Sequence, residues 1–126
     1  LAIAVTTSQL GAAQTLIFDE VDAGVGGAVA QAVGRLMKQL GQDRQVMAVT
    51  HLPQVAASGD HHLVVTKQLA AGVTVSSVLP VVGAARISEI ARMLGSEHGT
   101  TASLAHAREM LETGQLVAAV LEGAEK

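Results

Sequence analysis

The stretch Leu16-Ile17-Phe18-Asp19-Glu20-Val21-Asp22 decides the fold of this chain, because bulky apolar residues run directly into acidic ones. The β-branched and aromatic run from Thr15 to Phe18 predicts a short buried strand that ends at two adjacent carboxylates. A glycine-rich turn, Ala23-Gly24-Val25-Gly26-Gly27, follows. A buried strand that ends in carboxylates can hold a metal ion and a reactive water at one point, as nucleotide hydrolysis requires.

A helix and a second strand follow this turn and complete a βαβ unit. The helix is predicted from Ala28 to Leu40, with Gly41 as its C-cap, and the second strand from Gln45 to Val49. Such a unit implies parallel pairing and a right-handed crossover. The inner helix face is predicted to carry Val29, Val33, Leu36, Met37 and Leu40. Arg35 and Lys38 are predicted to lie off that face.

The second half of the chain is predicted to form a hairpin and a helix. The strands of the hairpin, His62 to Lys67 and Val73 to Leu79, flank Ala71-Gly72. The helix spans Ala84 to Leu94, with Ile87, Ile90, Ala91 and Leu94 on one stripe, and Gly95 ends it. Arg86 is predicted to lie on the solvent-facing side of this helix.

The two ends of the chain are also predicted to be helical. Leu1 to Gln9 has the pattern of a helix that started upstream, and the chain, which begins without Met, is expected to be part of something longer. Near the other end, Thr100 or Thr101 is a candidate cap for a helix through Leu111, with Gly114 as its stop. Residues 115–126 are expected to form a short helix or a frayed tail.

The composition limits the classes of protein to which the chain can belong. Its 126 residues are 49% apolar, enough for one core, and we expect a single unit over residues 1–126. The net charge of -3 and the single aromatic residue, Phe18, give no basic or stacking surface for nucleic acid. The absence of cysteine excludes disulfides and fits a reducing compartment, so a cytoplasmic protein without a membrane partner is expected.

The carboxylates and one histidine are predicted to share an edge of the sheet. Ligands of parallel sheets bind outside the carboxyl ends of the strands, where Asp19 and Glu20 end the first strand and His51 follows the second. Adjacent strand residues point in different directions, so one carboxylate can anchor Mg²⁺ while the other addresses a water. The alternatives are that the acidic pair merely ends a strand at the surface and that His51 is structural.

Three segments resemble the ATPase heads of the ATP-binding-cassette proteins, within the P-loop NTPases. Leu16 to Glu20 resembles their Walker B strand, Val21 to Gly27 stands at their D-loop, and Val49-Thr50-His51 resembles their switch-histidine strand. The resemblance implies an α/β fold, the C-terminal lobe of such a head, with a parallel βαβ core, a following hairpin and C-terminal helices.

The amino-acid sequences of these motifs most resemble one branch, the RecN family of bacterial DNA-repair ATPases, which are relatives of the SMC proteins. Phe18 to Gly27 and Val49 to Ala56 carry most of this resemblance. Arg86 to Gly95 and Ala107 to Leu111 support it, and it extends over residues 1 to about 113.

The resemblance implies a role for each matching residue, with ATP and Mg²⁺ as cofactors. Asp19 would bind Mg²⁺, Glu20 would polarise the attacking water, and His51 would contact the γ-phosphate. Four turn residues would contact the nucleotide and the second head of an ATP-sandwich homodimer: Asp22, Gly24, Gly26 and Gly27. D-loops usually end in Asp, where this chain has Gly26.

The sequence contains no phosphate-binding Gly-x-x-x-x-Gly-Lys-[Ser/Thr] motif, Q-loop or signature motif. The resemblance therefore implies that the N-terminal half of the same head is a partner, and that the complete protein contacts DNA. The implied function is double-strand-break repair and recombination, with ATP hydrolysis coupled to head dimerisation. The alternatives are a lobe of another machine, such as a transporter ATPase subunit, and a non-catalytic dimerisation module.

Overall fold

The predicted βαβ unit is present. In the computed structural model, which describes residues 14–19, 26–95 and 100–124, strand β1 spans Thr15–Asp19, helix α1 Gly27–Leu40 and strand β2 Gln45–Val49. The two strands pair directly and in parallel, as predicted, and Asp19 lies opposite Val49 in the register. The predicted helix from Leu1 to Gln9 lies outside the described residues.

One face of this two-stranded sheet is covered and the other is open. Leu16 and Phe18 are buried, because alternate residues of a strand point to the same face and this face meets α1. The first core cluster consists of Leu16, Phe18, Ala30, Val33, Met37 and Val55. On the opposite face Ile17 is 68% exposed, and Met47 and Val49 are exposed as well.

The inner face of α1 is turned slightly from the predicted one. Val33 and Met37 are buried as predicted, but Val29 is exposed and Ala30 and Gly34 are buried. The side chain of Lys38, predicted to lie off this face, is only 5% exposed. The reason is a second neighbour on this side: helix α2, Pro53–Ser58, packs so closely that a Cβ on Gly34 would lie 3.0 Å from the Cβ of Ser58.

Helix α2 was not predicted from the sequence, although it joins the two halves of the molecule. It begins with Pro53, whose fixed φ suits the first helical position. Val55 packs in the first core cluster and Ala57 in the second, which also contains Ile90, Ala91 and Ala107. Six residues therefore connect two separate cores.

The predicted hairpin is present and slightly longer than expected. Strand β3 spans Leu63–Ala70 and β4 spans Val73–Pro80, paired antiparallel. The turn between them places Ala71 at φ 51° and Gly72 at φ 78°, both in the left-handed region that two-residue hairpin turns require. Among the described residues, the hairpin strands pack against no other helix or strand.

Two helices, α3 (Gly83–Met93) and α4 (Thr101–Ala124), complete the described chain. On α3 the predicted stripe is confirmed, since Ile90 and Ala91 are buried and Ile87 and Leu94 pack against the second core. Gly95, at φ 99°, follows the end of this helix, as predicted. None of the helices in the described ranges is long and apolar enough to span a membrane.

The end of α4 differs from the prediction. Thr100 caps the start, because its Oγ1 accepts a 3.1 Å hydrogen bond from the backbone N–H of Ser103. Gly114, however, does not stop the helix, which continues to Ala124. Gly114 is buried against α2, where a Cβ would lie 2.5 Å from the carbonyl oxygen of Ala57. This glycine serves a close helix contact rather than a helix end.

Candidate functional site

The parallel pairing brings Asp19 and His51 to the same edge of the sheet. Asp19 is the last residue of β1, and His51 follows the end of β2 by two residues. Both residues are exposed. Three other candidate site residues lie outside the described residues: Glu20, Asp22 and Gly24. The described part of the site therefore consists of Asp19 and His51, which lie at the carboxyl ends of two paired strands.

His51 lies in a short turn with defined hydrogen bonds. The hydroxyl of Thr50 accepts a 3.0 Å hydrogen bond from the backbone N–H of Leu52, two residues later. The carbonyl oxygen of Leu52 then accepts a 3.1 Å bond from the N–H of Ala56 and begins α2. His51 is thus fixed between the end of β2 and the first turn of α2, with no room for a flexible linker on either side.

Gly26 and Gly27 lie at the start of α1. Gly26 precedes the helix in an extended conformation, φ -78° and ψ 169°, and its carbonyl accepts a 2.9 Å bond from Ala30. A Cβ on Gly26 would meet nothing within 4 Å, and one on Gly27 would lie 3.6 Å from Nε2 of Gln54. Neither backbone conformation nor contacts within the described chain require glycine at these two positions.

Gln54 is a site neighbour that sequence reasoning missed. It lies on α2, three residues after His51, and its side chain reaches the start of α1 at Gly27. Its Oε1 is buried and has no hydrogen-bond partner among the described residues. The only sequence signal for it was its place in the run from Val49 to Ala56, which carried the family resemblance.

Two cations lie at the other end of α2. The guanidinium of Arg86 donates hydrogen bonds to the carbonyl oxygens of Ala56 (3.1 Å) and Gly59 (2.6 Å). Nζ of Lys38 donates to the carbonyl oxygen of Ser58 and to Oδ1 of Asp60, each at 3.0 Å. The prediction that Arg86 faces solvent was wrong, because the helix turns this side chain toward α2.

Burial sets the electrostatics of this second cluster. It lowers the pKa of Arg86 from its ordinary value, and the nearby carboxylate of Asp60 opposes that effect. Burial is also the main cause of a lowered pKa for His62, to which the charge of Arg86 adds. The hydrogen bond from Arg92 lowers the pKa of Glu89. These groups therefore favour a neutral His62 and an ionised Glu89.

The chain is similar to several curated proteins named DNA repair protein RecN. That of Vibrio cholerae is 49% identical over 111 residues, which cover 88% of this chain and 20% of that protein. That of Deinococcus radiodurans is 49% identical over 109 residues, covering 86% and 19%, and that of Treponema pallidum is 41% identical over 114 residues, covering 90% and 20%. The chain spans about a fifth of the length of these relatives. No protein-family model matches it.

The fold agrees with a solved structure of an SMC ATPase, from work on the ATP-driven dimerization and DNA stimulated activation of SMC ATPases. The TM-score is 0.60 at 20% sequence identity, over 78% of this chain and 58% of that chain. This agreement confirms the predicted fold class. The chain therefore belongs to the RecN family, as a segment that matches about one fifth of a RecN protein and has the fold of an SMC ATPase head.

Proposed function

We propose that this chain is the C-terminal lobe of the ATPase head of a RecN-type DNA-repair protein, and that it supplies the metal and water side of an ATP site. The observation that carries the proposal is the register of β1 and β2, which places Asp19 and His51 at one carboxyl edge. The similarity to RecN proteins and the SMC-like fold support the same function.

The residue types at this edge suit Mg²⁺ and a phosphate group. Within the described ranges no cluster of three or more metal-ligating side chains occurs, but Mg²⁺ is commonly held by one or two carboxylates together with waters and phosphates. The exposed carboxylate of Asp19 at the strand end fits that mode of binding. Bound there, the ion would neutralise charge on the phosphates during hydrolysis.

The roles proposed for the neighbouring side chains come from the resemblance to ATPase heads. Glu20 comes directly after Asp19, so its carboxylate can orient the attacking water and accept its proton. His51, in the turn before α2, would donate a hydrogen bond to the terminal phosphate. The phosphates themselves would be held by a loop from the N-terminal half of the same head, because this chain has no phosphate-binding motif.

The turn before α1 is proposed to face a second head across the nucleotide. The turn residues given this role are Asp22, Gly24, Gly26 and Gly27. An added Cβ on Gly26 would meet none of the described residues within 4 Å, which supports close approach of another chain. DNA contact, repair and recombination belong to the complete protein, which we propose acts in the cytoplasm.

The test of the proposed function is Glu20→Gln in the complete protein. Glutamine keeps the size of the side chain but cannot accept the proton of the attacking water, so ATP binding should persist while kcat falls by about 100-fold or more. ATP affinity and steady-state phosphate release measure the two effects. Glu112→Gln, an exposed site on α4, is the control and should behave as wild type.

The outcome also separates the alternatives. A non-catalytic dimerisation module predicts that Glu20→Gln changes neither turnover nor binding, and unchanged turnover would remove Glu20 from its proposed role. A transporter lobe is disfavoured by the match to RecN proteins over 88% of the chain. The 126-residue chain alone should show no Mg²⁺-dependent ATP turnover, and phosphate release above background by this purified chain would contradict the division of the site.

A further inference from the structure

His51 is joined to helix α2 through a single residue, Leu52. The helix starts at Pro53, and the turn that contains His51 is closed by the bond from the N–H of Leu52 to Thr50. A rotation or shift of α2 therefore moves His51 relative to Asp19 on β1. The stability of α2 in one orientation is a condition for a defined site.

Helix α2 is too short to be stable alone. It has six residues, and no side chain caps its first turn. Isolated helices shorter than about 12 residues are marginal in water, so contacts with other elements must hold it. Val55 and Ala57 supply apolar contacts on two sides, and Gly34 and Gly114 allow α1 and α4 to pack closely against the helix.

The carbonyl groups at the end of α2 accept hydrogen bonds that further restrain the rotation of the helix. The final four carbonyls of any helix lack partners within the helix, and cations are favoured beside them. Here the side chains of Arg86 from α3 and Lys38 from α1 donate to the carbonyls of Ala56, Ser58 and Gly59. The two cations approach from different helices, so together they fix both the position and the rotation of this end.

These contacts differ from ordinary surface ion pairs. The side chain of Lys38 is 5% exposed, whereas Arg92, which pairs with Glu89 on the same helix as Arg86, is 61% exposed. Exposed pairs of the second kind contribute little to stability. Burying a cation is costly unless it is paired or hydrogen-bonded, so the bonds of the buried Lys38 side chain and the half-buried Arg86 to these carbonyls fit a positional role.

We propose that Arg86 and Lys38 are positioning residues for the ATPase reaction, which hold the end of α2 and thereby keep His51 at the strand edge beside Asp19. The inference rests on the proposed function, since it matters only if His51 acts on the nucleotide. Both side chains bond to the end of α2 that lies away from His51. Their loss should therefore change turnover much more than ATP binding.

The first measurement is the ATPase activity of the complete protein carrying Arg86→Gln. Displacing a reacting group by about 1 Å can cost on the order of 100-fold, so we expect kcat to fall by about 10- to 100-fold. KM for ATP should change by less than about threefold, because the phosphates are held elsewhere. Arg86→Lys, which reaches one carbonyl instead of two, should recover part of the loss. Arg92→Gln, on the same helix, is the matched control and should keep wild-type kcat.

A double-mutant cycle separates positioning from a general structural effect. If Arg86 acts through His51, the variant with both Arg86→Gln and His51→Ala should have the kcat of His51→Ala alone. Multiplying effects in the double variant, or wild-type turnover in Arg86→Gln, would overturn the inference while leaving the proposed function intact. Wild-type turnover in His51→Ala would remove both His51 from the site and the reason for positioning it.

Lys38 gives an independent test where Arg86→Gln does not fold, as judged by its thermal unfolding. Lys38→Met keeps the length of the side chain and removes its donors, and it should lower kcat in the same direction by a smaller factor. Arg35→Met, an exposed position on the same helix, is its control. Equal turnover in Lys38→Met, Arg35→Met and wild type would overturn the role of Lys38.

Discussion

Gly114→Ala tests the contact between α2 and α4 most directly. A Cβ at this position would lie 2.5 Å from the carbonyl oxygen of Ala57 and 3.3 Å from its carbonyl carbon. Both are backbone atoms of a helix that packs in two cores, so they cannot move aside as the end of a flexible side chain can. Relief requires the two helices to separate at this point.

Two opposing effects determine how much Gly114→Ala changes the free energy of unfolding. Overpacking a tight contact costs about 1–3 kcal/mol, and replacing glycine by alanine inside a helix returns about 1 kcal/mol. We therefore expect a net loss of about 0–2 kcal/mol in the free energy of unfolding, which for a chain of this size lowers Tm by up to roughly 8 °C. If Gly114 were an ordinary helix-interior residue without this close contact, the same substitution would raise stability instead.

The assay is urea and thermal unfolding of the 126-residue chain, followed by circular dichroism. Gly27→Ala is the control, because it also lies in a helix and its Cβ would make only an ordinary 3.6 Å contact with Gln54. It should be neutral or slightly stabilising. A Gly114→Ala chain as stable as the control would refute the close contact between α2 and α4.

Two further predictions concern other parts of the fold. Because burial lowers the pKa of His62 below its ordinary value of 6.5, the unfolded chain binds more protons just below that pH; the free energy of unfolding should therefore fall as pH drops below 6.5. His62→Gln should flatten that dependence in urea unfolding at a series of pH values, and an unchanged slope would contradict it. Ala71→Asn should stabilise the hairpin by about 0.5–1 kcal/mol, because Asn tolerates the left-handed conformation that Ala71 adopts at φ 51°. Slower tryptic cleavage after Lys67 in this variant would show that the hairpin is more stable, and unchanged cleavage would argue against strain at this turn.

The elements with a local signature were predictable from the sequence. Apolar runs and glycine punctuation located β1, α1, β2 and both hairpin strands to within a few residues. The pairing of β1 with β2 followed from the βαβ order, and it put Asp19 and His51 at one edge. These predictions succeeded because each depends on residues that are close in the sequence.

The failures share a different cause. Helix α2 has six residues and no repeating apolar pattern, and it owes its place to contacts of Val55 and Ala57 with distant residues. The sequence predicts Arg86 on the solvent-facing side and Lys38 off the inner face of its helix, because their partners are backbone carbonyls 20 to 30 positions away. A pattern along one helix carries no information about carbonyl groups on another.

The connection of both cores through α2 has a consequence for how the molecule opens. Val55 and Ala57 belong to different apolar clusters but to one short helix, so neither cluster can come apart without disturbing the other. Amide hydrogens of α1 and α4 should therefore exchange with solvent in one cooperative event. The β3–β4 hairpin, which packs on no other described element, should exchange earlier and separately. The turn that contains His51, which is joined to α2, is therefore expected to open with α2 and not with the hairpin.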